Sequence, residues 1–361
     1  MKVALLGLLQ SGKSTILAGL SSKAIPPVGS TKIEEAVVSV PDVRLDWLTE
    51  YYKPKKTTYA MIDCLDLPGF NFTDEHGRAA ARRLINQIRT SDLLVLVVRA
   101  FENPAVPPDR DSVDPARDLM ELRTELLLTD LELVTTRIEK LEKQLNKPAK
   151  TQAHDKAELE LQKKLQEAIE SEKPISTVIE TDEQLEMVKS LGFLTLKPMV
   201  VVVNIGENQT QNLSVAGGFD FTGVIDSSVP VITVCAELEY ELAQLDTDSR
   251  REFMADLGII EPEAGRFVNS CYSAMGVISF LTVVSDELRA WPIKQGTVAL
   301  DAAGKVHTDI KRGFIKAEIF SFDDLKELGS EKAVKAAGKI RLEGKDYIVQ
   351  DGDIINFRFN V

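Results

Sequence analysis

The sequence predicts an α/β chain: a mostly parallel sheet, interrupted by a long helical hairpin and followed by a smaller α+β domain. Three observations carry this. Short continuous apolar runs recur at Val3–Leu6, 61–65, Leu93–Val98, 199–203 and Val229–Val234, the texture of parallel strands buried on both faces. Between 114 and 190, Leu119, Leu122, Leu126, Leu133, Ile138, Leu141 and Leu145 recur at helical spacing among charges, which predicts amphipathic helices. From 281 onward, short strand-like runs alternate with Gly-containing turns.

In order along the chain, residues 1–112 and 193–280 read as two parts of one α/β domain, because strand texture returns at Pro198-Met199-Val200-Val201-Val202-Val203. The segment 113–192 is the insertion. Pro148 breaks its leucine pattern, a second charged helix runs from about 152 to Ser171, and Pro174 closes it. Two long helices joined by a short turn form a hairpin or coiled coil. Residues 281–361 form the last domain.

The bulk numbers bound the class. With 361 residues and 44% apolar composition the chain can bury a core, and two or three domains are expected. A net charge of −13 is opposite in sign to that of a simple basic nucleic-acid binder. Cys64, Cys235 and Cys271 are far apart and form no C-x-x-C pair, so reduced, buried thiols of a cytoplasmic protein are expected, and no zinc site. No stretch approaches the roughly 20 apolar residues of a membrane span.

The strongest local signal is Gly7-Leu8-Leu9-Gln10-Ser11-Gly12-Lys13-Ser14. It fits G-x-x-x-x-G-K-S/T between a strand and a helix, the context of a P-loop NTPase. Glycines let the backbone wrap a polyphosphate, and loop amides with the helix N-terminus face the anion. Gly7, Gln10, Ser11, Gly12, Lys13, Ser14 and Thr15 are the expected nucleotide contacts. Lys13 should reach the β- and γ-phosphates, and the Ser14 hydroxyl should sit on Mg²⁺.

Asp66-Leu67-Pro68-Gly69 follows the 61–65 run and matches the D-x-x-G of a GTPase-like switch II. Asp66 would hold Mg²⁺ through water, and the Gly69 amide would sense the γ-phosphate. Ras-like enzymes place a water-orienting Gln next; here it is Phe70, whose ring cannot hydrogen-bond water. Asn204-Ile205-Gly206-Glu207 stands where guanine-specific enzymes carry N-K-x-D. Ile205 replaces the Lys, and Glu207 is one methylene longer than Asp, so the guanine reader is altered. Thr31 is the candidate switch I hydroxyl for Mg²⁺, with Ser30 the alternative.

Together these elements resemble the YchF / Obg-like ATPase family. Val40-Pro41-Asp42-Val43-Arg44-Leu45-Asp46, Lys53-Pro54-Lys55, Val98-Arg99-Ala100-Phe101-Glu102-Asn103 and Val113-Asp114-Pro115 are similar to family segments. So are Leu288-Arg289-Ala290-Trp291, His307-Thr308-Asp309, Lys311-Arg312-Gly313-Phe314-Ile315, Leu342-Glu343-Gly344-Lys345-Asp346-Tyr347 and Phe357-Arg358-Phe359-Asn360-Val361, which resemble its TGS domain, a β-grasp-like α+β fold. The resemblance implies Mg²⁺-dependent hydrolysis of ATP in preference to GTP, a hydrophobic residue at the Gln position, the N-x-x-E base motif, and ribosome or RNA association through the TGS domain and hairpin in a translation- or stress-linked switch. The chain departs from the family in its P-loop (Gln10-Ser11), in a switch II that keeps only Gly77 of a glycine-rich stretch, and in Pro108, which stands by count where the family has a proposed catalytic His. Loss of the switch II glycines predicts a more helical, less mobile segment there. His76 reads as an exposed loop residue, and His307 as structural. Two alternatives stay open: a GTPase of the same fold, and a nucleotide-binding scaffold with little hydrolysis.

Overall fold

The computed structural model describes the chain except residues 22, 23, 26, 28, 29, 109–111, 147–150, 211–217, 258, 260, 261, 285 and 361. Pro148 and Val361 of the motifs above, and Gly29 just before the switch I candidates Ser30 and Thr31, therefore lie outside the described residues. In chain order the strands are β1 (Lys2–Leu6), β2 (Glu34–Ser39), β3 (Lys56–Thr58), β4 (Met61–Asp66), β5 (Leu93–Arg99), β6 (Met199–Asn204), β7 (Val231–Val234), β8 (Val277–Val284), β9 (Glu287–Lys294), β10 (Phe314–Ser321), β11 (Arg341–Glu343) and β12 (Asp353–Phe359). The helices used below are α1 (Lys13–Ser21), α2 (Val43–Tyr52), α3 (Glu75–Gln87), α4 (Pro115–Leu145) and α5 (Gln152–Glu170).

The chain folds as two compact units, Met1–Ala36 with Asp63–Ala264, and Val37–Ile62 with Gly265–Val361. The first carries most of a six-stranded sheet in the order β2-β4-β1-β5-β6-β7. Its pairs β1–β4, β1–β5, β5–β6 and β6–β7 are all parallel. Val3–Leu6, Leu93–Val98 and Val200–Val203 are almost fully buried, as strands covered by helices on both faces must be. Helix α4 starts where Asp114 accepts hydrogen bonds from Ala116 N (3.1 Å) and Arg117 N (3.0 Å), with Pro115 at its first position. Helix α5 packs along it over a core that includes Val134, Ile138, Leu141, Leu165 and Ile169. The hairpin periodicity is thus realised as two helices of 31 and 19 residues.

The second unit holds a sheet in the order β11-β10-β12-β8-β9-β3. Strands β8 and β9 form an antiparallel hairpin, and β12 lies parallel to β8 and antiparallel to β10. Phe280, Ala299, Ala303, Phe314, Ile319, Ile355 and Phe357 form its core. Here the chain divides differently from the sequence expectation of 1–112, 113–192, 193–280 and 281–361. Residues 37–62 fold with the C-terminal unit: β3 adds in parallel to β9 through Lys56, Thr57 and Thr58. Arg44 of α2 reaches Asp351 at 2.8 Å and Asp42 at 2.9 Å. A three-residue strand has no readable periodicity, and an ion pair 307 residues apart leaves no local trace.

Among the described residues no helix is long and apolar enough to cross a membrane. Among the described residues there is no disulfide, and Cys64, Cys235 and Cys271 are buried.

Candidate nucleotide and metal site

The first unit gathers its chemistry at the carboxyl ends of parallel strands, the usual ligand edge of such sheets. The loop 7–12 follows β1, Asp66 ends β4, and Asn204 ends β6. The loop can turn so tightly because Gly12 has φ +92° and Gln10 accepts φ +59°. A Cβ on Gly12 would lie 2.0 Å from Asn204 Nδ2, and one on Gly7 would lie 2.5 Å from the Val97 carbonyl oxygen.

Lys13 opens α1 with its side chain folded back over this loop. Its Nζ donates to Gly7 O (3.1 Å), Leu8 O (3.2 Å) and Ser11 Oγ (3.3 Å), and the residue is 4% exposed. Burial lowers its pKa to about 8, against the pull of the Asp66 charge. A cation so held lacks a full counter-charge, which an anion in the loop would supply.

The Ser14 hydroxyl donates to Asp66 Oδ2 at 2.5 Å. Asp66 is 4% exposed, and its Oδ1 is buried with no hydrogen-bond partner in the protein. Burial raises the Asp66 pKa, while the Ser14 hydrogen bond and the Lys13 charge pull it down. An orphaned carboxylate oxygen beside a Ser hydroxyl fits a hard divalent cation that keeps waters and phosphate oxygens in its shell, as Mg²⁺ does. The donor set therefore fits Mg²⁺ with Ser14 and Asp66 as protein ligands, directly or through water.

These residues line a cavity of about 620 Å³ that also takes in Gln10, Ser11, Thr15, Ser30, Thr31 and Gly69. Thr31 is exposed on its wall and Ser30 half-buried. Gly69 approaches the loop so closely that a Cβ would meet Leu9 Cα at 2.8 Å. The Phe70 backbone is tied to the loop, its N donating to Gly7 O (3.0 Å) and its O accepting from Leu9 N (3.1 Å). Its ring, however, is 1% exposed and packs on Phe72 with centroids 5.6 Å apart. Phe70 is a core residue at the Gln position and offers no polar group to the cavity. Lys32, Glu34 and Arg83 also line the cavity; the motifs did not point to them, because nothing in the local sequence marks a side chain as facing a distant loop.

The base motif is built differently from its sequence expectation. Asn204 is 3% exposed; its Nδ2 donates to Ser11 O (3.0 Å), and its Oδ1 accepts from Ala236 N (3.1 Å). Both ends of the amide are used to fasten three segments together, so it is a brace for the phosphate loop. Ile205 is 3% exposed in the core, which leaves it no contact with a base through its side chain. Glu207 is exposed at the start of the short helix Glu207–Thr210. A second cavity of about 300 Å³ lies beside this helix, lined by Ala100, Glu102, Val113, Pro115, Asn208, Gln209 and Phe219. Arg99 holds its neighbouring loop, donating to Phe101 O (3.0 Å), Val106 O (2.6 Å) and Pro107 O (3.2 Å). His76 is exposed as the second residue of α3 and does not line the larger cavity. In the other unit, His307 Nδ1 accepts from Asp309 N at 3.2 Å and caps the helix Thr308–Arg312.

The domain family YchF-GTPase_C, described as a protein of unknown function (DUF933), matches residues 277–360. The "Ribosome-binding ATPase YchF" of Bacillus subtilis is 37% identical and covers 99% of this chain and 98% of its own length. "Obg-like ATPase 1" of Oryza sativa subsp. japonica is 37% identical over 100% of this chain and 92% of its own. The solved structure of the Schizosaccharomyces pombe YchF GTPase superposes with a TM-score of 0.82 at 28% identity, covering 99% of this chain and 97% of that one.

Proposed function

This chain belongs to the YchF / Obg-like ATPase family, and on that premise we propose that it binds a purine nucleoside triphosphate with Mg²⁺ and slowly hydrolyses its terminal phosphate, ATP in preference to GTP. The observation that carries the reading is the Ser14–Asp66 pair beside buried Lys13, with Asp66 Oδ1 lacking any protein partner. A hard cation and a polyphosphate together complete this set: the one takes the free carboxylate oxygen, the other neutralises the lysine.

In this reading the loop 7–12 and the N-terminus of α1 cradle the phosphates, helped by Ser11 and Thr15. Lys13 lies between the β- and γ-phosphates. The Gly69 amide faces the terminal phosphate, and Thr31, or Ser30, closes over it. Ser14 and Asp66 would hold Mg²⁺, which would supply positive charge against the negative charge that develops on the phosphates. Catalysis is then positioning and charge stabilisation by Lys13 and loop amides, with water as nucleophile. Phe70 supplies no group to orient that water, which supports slow intrinsic turnover and a switch accelerated by a partner. The names of the bacterial relatives support the ribosome as that partner, and a cytoplasmic setting. The hairpin and the C-terminal TGS domain are the surfaces proposed for it. ATP preference rests on the relatives' names and on Ile205 and Glu207 standing in place of a guanine reader.

The test is calorimetric titration of Mg²⁺ with ATP and with GTP, in wild type and Lys13→Ala. Tighter ATP binding, lost in the variant, is expected. Tighter GTP binding moves the protein to the GTPase reading, and no binding of either removes the switch reading.

A further inference from the structure

Helix α3 is the first regular element behind the Asp66–Gly69 turn, and its arginines divide by face. Arg83 lies on the cavity side. Arg78 and Arg82, and Arg89 two residues past the end of α3, face α4, each paired with an acidic side chain. At the far end Arg89 meets Asp130 at 2.8 Å, and Asp130, fully buried, also accepts from Leu194 N (3.2 Å) and Thr195 N (2.9 Å). That end is a fixed point in the fold.

The near end is different. Arg78 Nε donates to the Phe72 carbonyl oxygen (2.9 Å), in the loop that follows Gly69. Its Nη1 donates to Glu125 Oε1 (3.0 Å) on α4, a residue only 1% exposed. Arg82 shares this carboxylate through Oε2 (3.4 Å) and holds Glu132 at 2.6 Å, but among the described residues it makes no hydrogen bond to the loop. The loop is in turn bound to the phosphate site: the Phe72 ring packs on Phe70, and the Phe70 backbone bonds to Gly7 and Leu9. A continuous set of contacts therefore runs from the phosphate loop through Phe70, Phe72 and Arg78 to Glu125. A planar guanidinium serves here because it bonds two acceptors in different directions at once, which an ammonium does less well. Asp74 fixes the start of α3, accepting from Gly77 N at 2.7 Å, so Arg78 sits on a capped helix.

We propose that Arg78 is a positioning residue that ties the loop after Gly69 to the helical hairpin, so that the species bound at the phosphate site and the state of α4 are thermodynamically linked through the Arg78–Glu125 pair. This rests on the nucleotide reading above. Linkage of this kind is reciprocal and is read as a difference in affinity between two ligands, here the triphosphate and the diphosphate. The physical element is a direct chain of bonded and packed groups.

The experiment uses the full chain with Mg²⁺. ATP and ADP affinities are measured by calorimetry in wild type, Arg78→Ala, Arg78→Lys and Arg82→Ala, together with amide hydrogen exchange along α4 in each nucleotide. In wild type, exchange around Glu125 differs between ATP and ADP. In Arg78→Ala that difference vanishes and the ATP/ADP affinity ratio shifts at least fivefold. Arg78→Lys keeps a charge opposite buried Glu125, folds normally and still shifts the ratio, because one ammonium does not hold both acceptors. Arg82→Ala leaves the ratio within twofold of wild type. The inference is overturned if Arg78→Lys, folded, keeps the wild-type ratio, if Arg82→Ala shifts it equally, or if exchange in wild-type α4 ignores the nucleotide. Nucleotide binding that is absent in wild type, or that survives Lys13→Ala, overturns the nucleotide reading and this inference with it.

Discussion

The Ser14 hydroxyl and the Asp66 carboxylate meet at 2.5 Å across 52 residues of chain, and the second carboxylate oxygen, Oδ1, is left buried and unbonded. Without a cation, that carboxylate carries an unfavourable buried charge, which is why burial raises its pKa. Replacing Asp66 by Asn removes the charge and keeps the shape. The ligand-free variant should melt at or above the wild-type temperature, since the cost of the buried anion is gone. Its gain in ATP affinity on adding Mg²⁺ should fall roughly 10- to 100-fold, the worth of one contact to a charged group. Calorimetry with and without Mg²⁺, beside thermal melts, reads both. A variant that loses stability but keeps the Mg²⁺ response would show Asp66 to be a structural acid.

Lys13 gives a pH dependence. Burial brings its pKa to about 8, below the ordinary 10.5 of lysine. In the ligand-free protein the unfolded state binds the proton more tightly, so between about pH 8 and 10.5 this residue makes the fold more stable as pH rises. Polyphosphate acts in the other direction, raising the lysine pKa. Binding should therefore take up a proton above about pH 8, and affinity should decline with pH there by up to about tenfold per unit. Titrations in buffers of different ionisation enthalpy measure the uptake directly. A flat affinity from pH 7 to 9.5, with no proton uptake, would count against the lysine as the phosphate cation.

Asn204 joins Ser11 O and Ala236 N, so its loss should be felt by the phosphate loop and not by the base. Asn204→Ala should cost about 2 kcal/mol of stability, two buried hydrogen bonds at roughly 1 kcal/mol each. It should weaken ATP and GTP alike, leaving their ratio within about twofold, because the brace sits under the phosphates. Chemical unfolding and competitive binding test this pair of outcomes. A selective loss of one nucleotide would return Asn204 to the role of base reader.

Gln162 of α5 is fully buried in the hairpin, and neither its Oε1 nor its Nε2 has a protein partner. An apolar side chain of similar size removes two unmet polar atoms. Gln162→Leu should stabilise the protein by about 1–2 kcal/mol, within the range for one unsatisfied buried group. Denaturant melts of both proteins decide it, and a destabilised variant would mean that the amide is hydrogen-bonded, for example to an internal water.

Much of the candidate site was readable because it lies within short segments whose residue types suit one chemistry. The loop 7–14, the Asp66–Gly69 turn and the apolar runs of β1, β5 and β6 announce themselves by spacing alone. So does the hairpin, whose leucines keep helical period over 31 residues of α4. The segment after Gly69, expected to be helical, contains α3 under its Asp74 cap. The directions of single side chains were not readable. Phe70 could have faced water or core; a phenyl ring beside an apolar neighbour goes to the core, and Phe72 is that neighbour.

The sequence by itself determined the fold class and picked out the loop 7–14 and the Asp66–Gly69 turn as the candidate site, because each depends on a local pattern and on the period of burial. Only the tertiary structure decided that Asn204 braces the loop 193 residues away, that Arg78 reaches Glu125 47 residues on, and that residues 37–62 complete the C-terminal sheet through β3. These depend on which surfaces meet after the chain closes on itself, and contacts across such separations leave no imprint on the residues that stand next to one another.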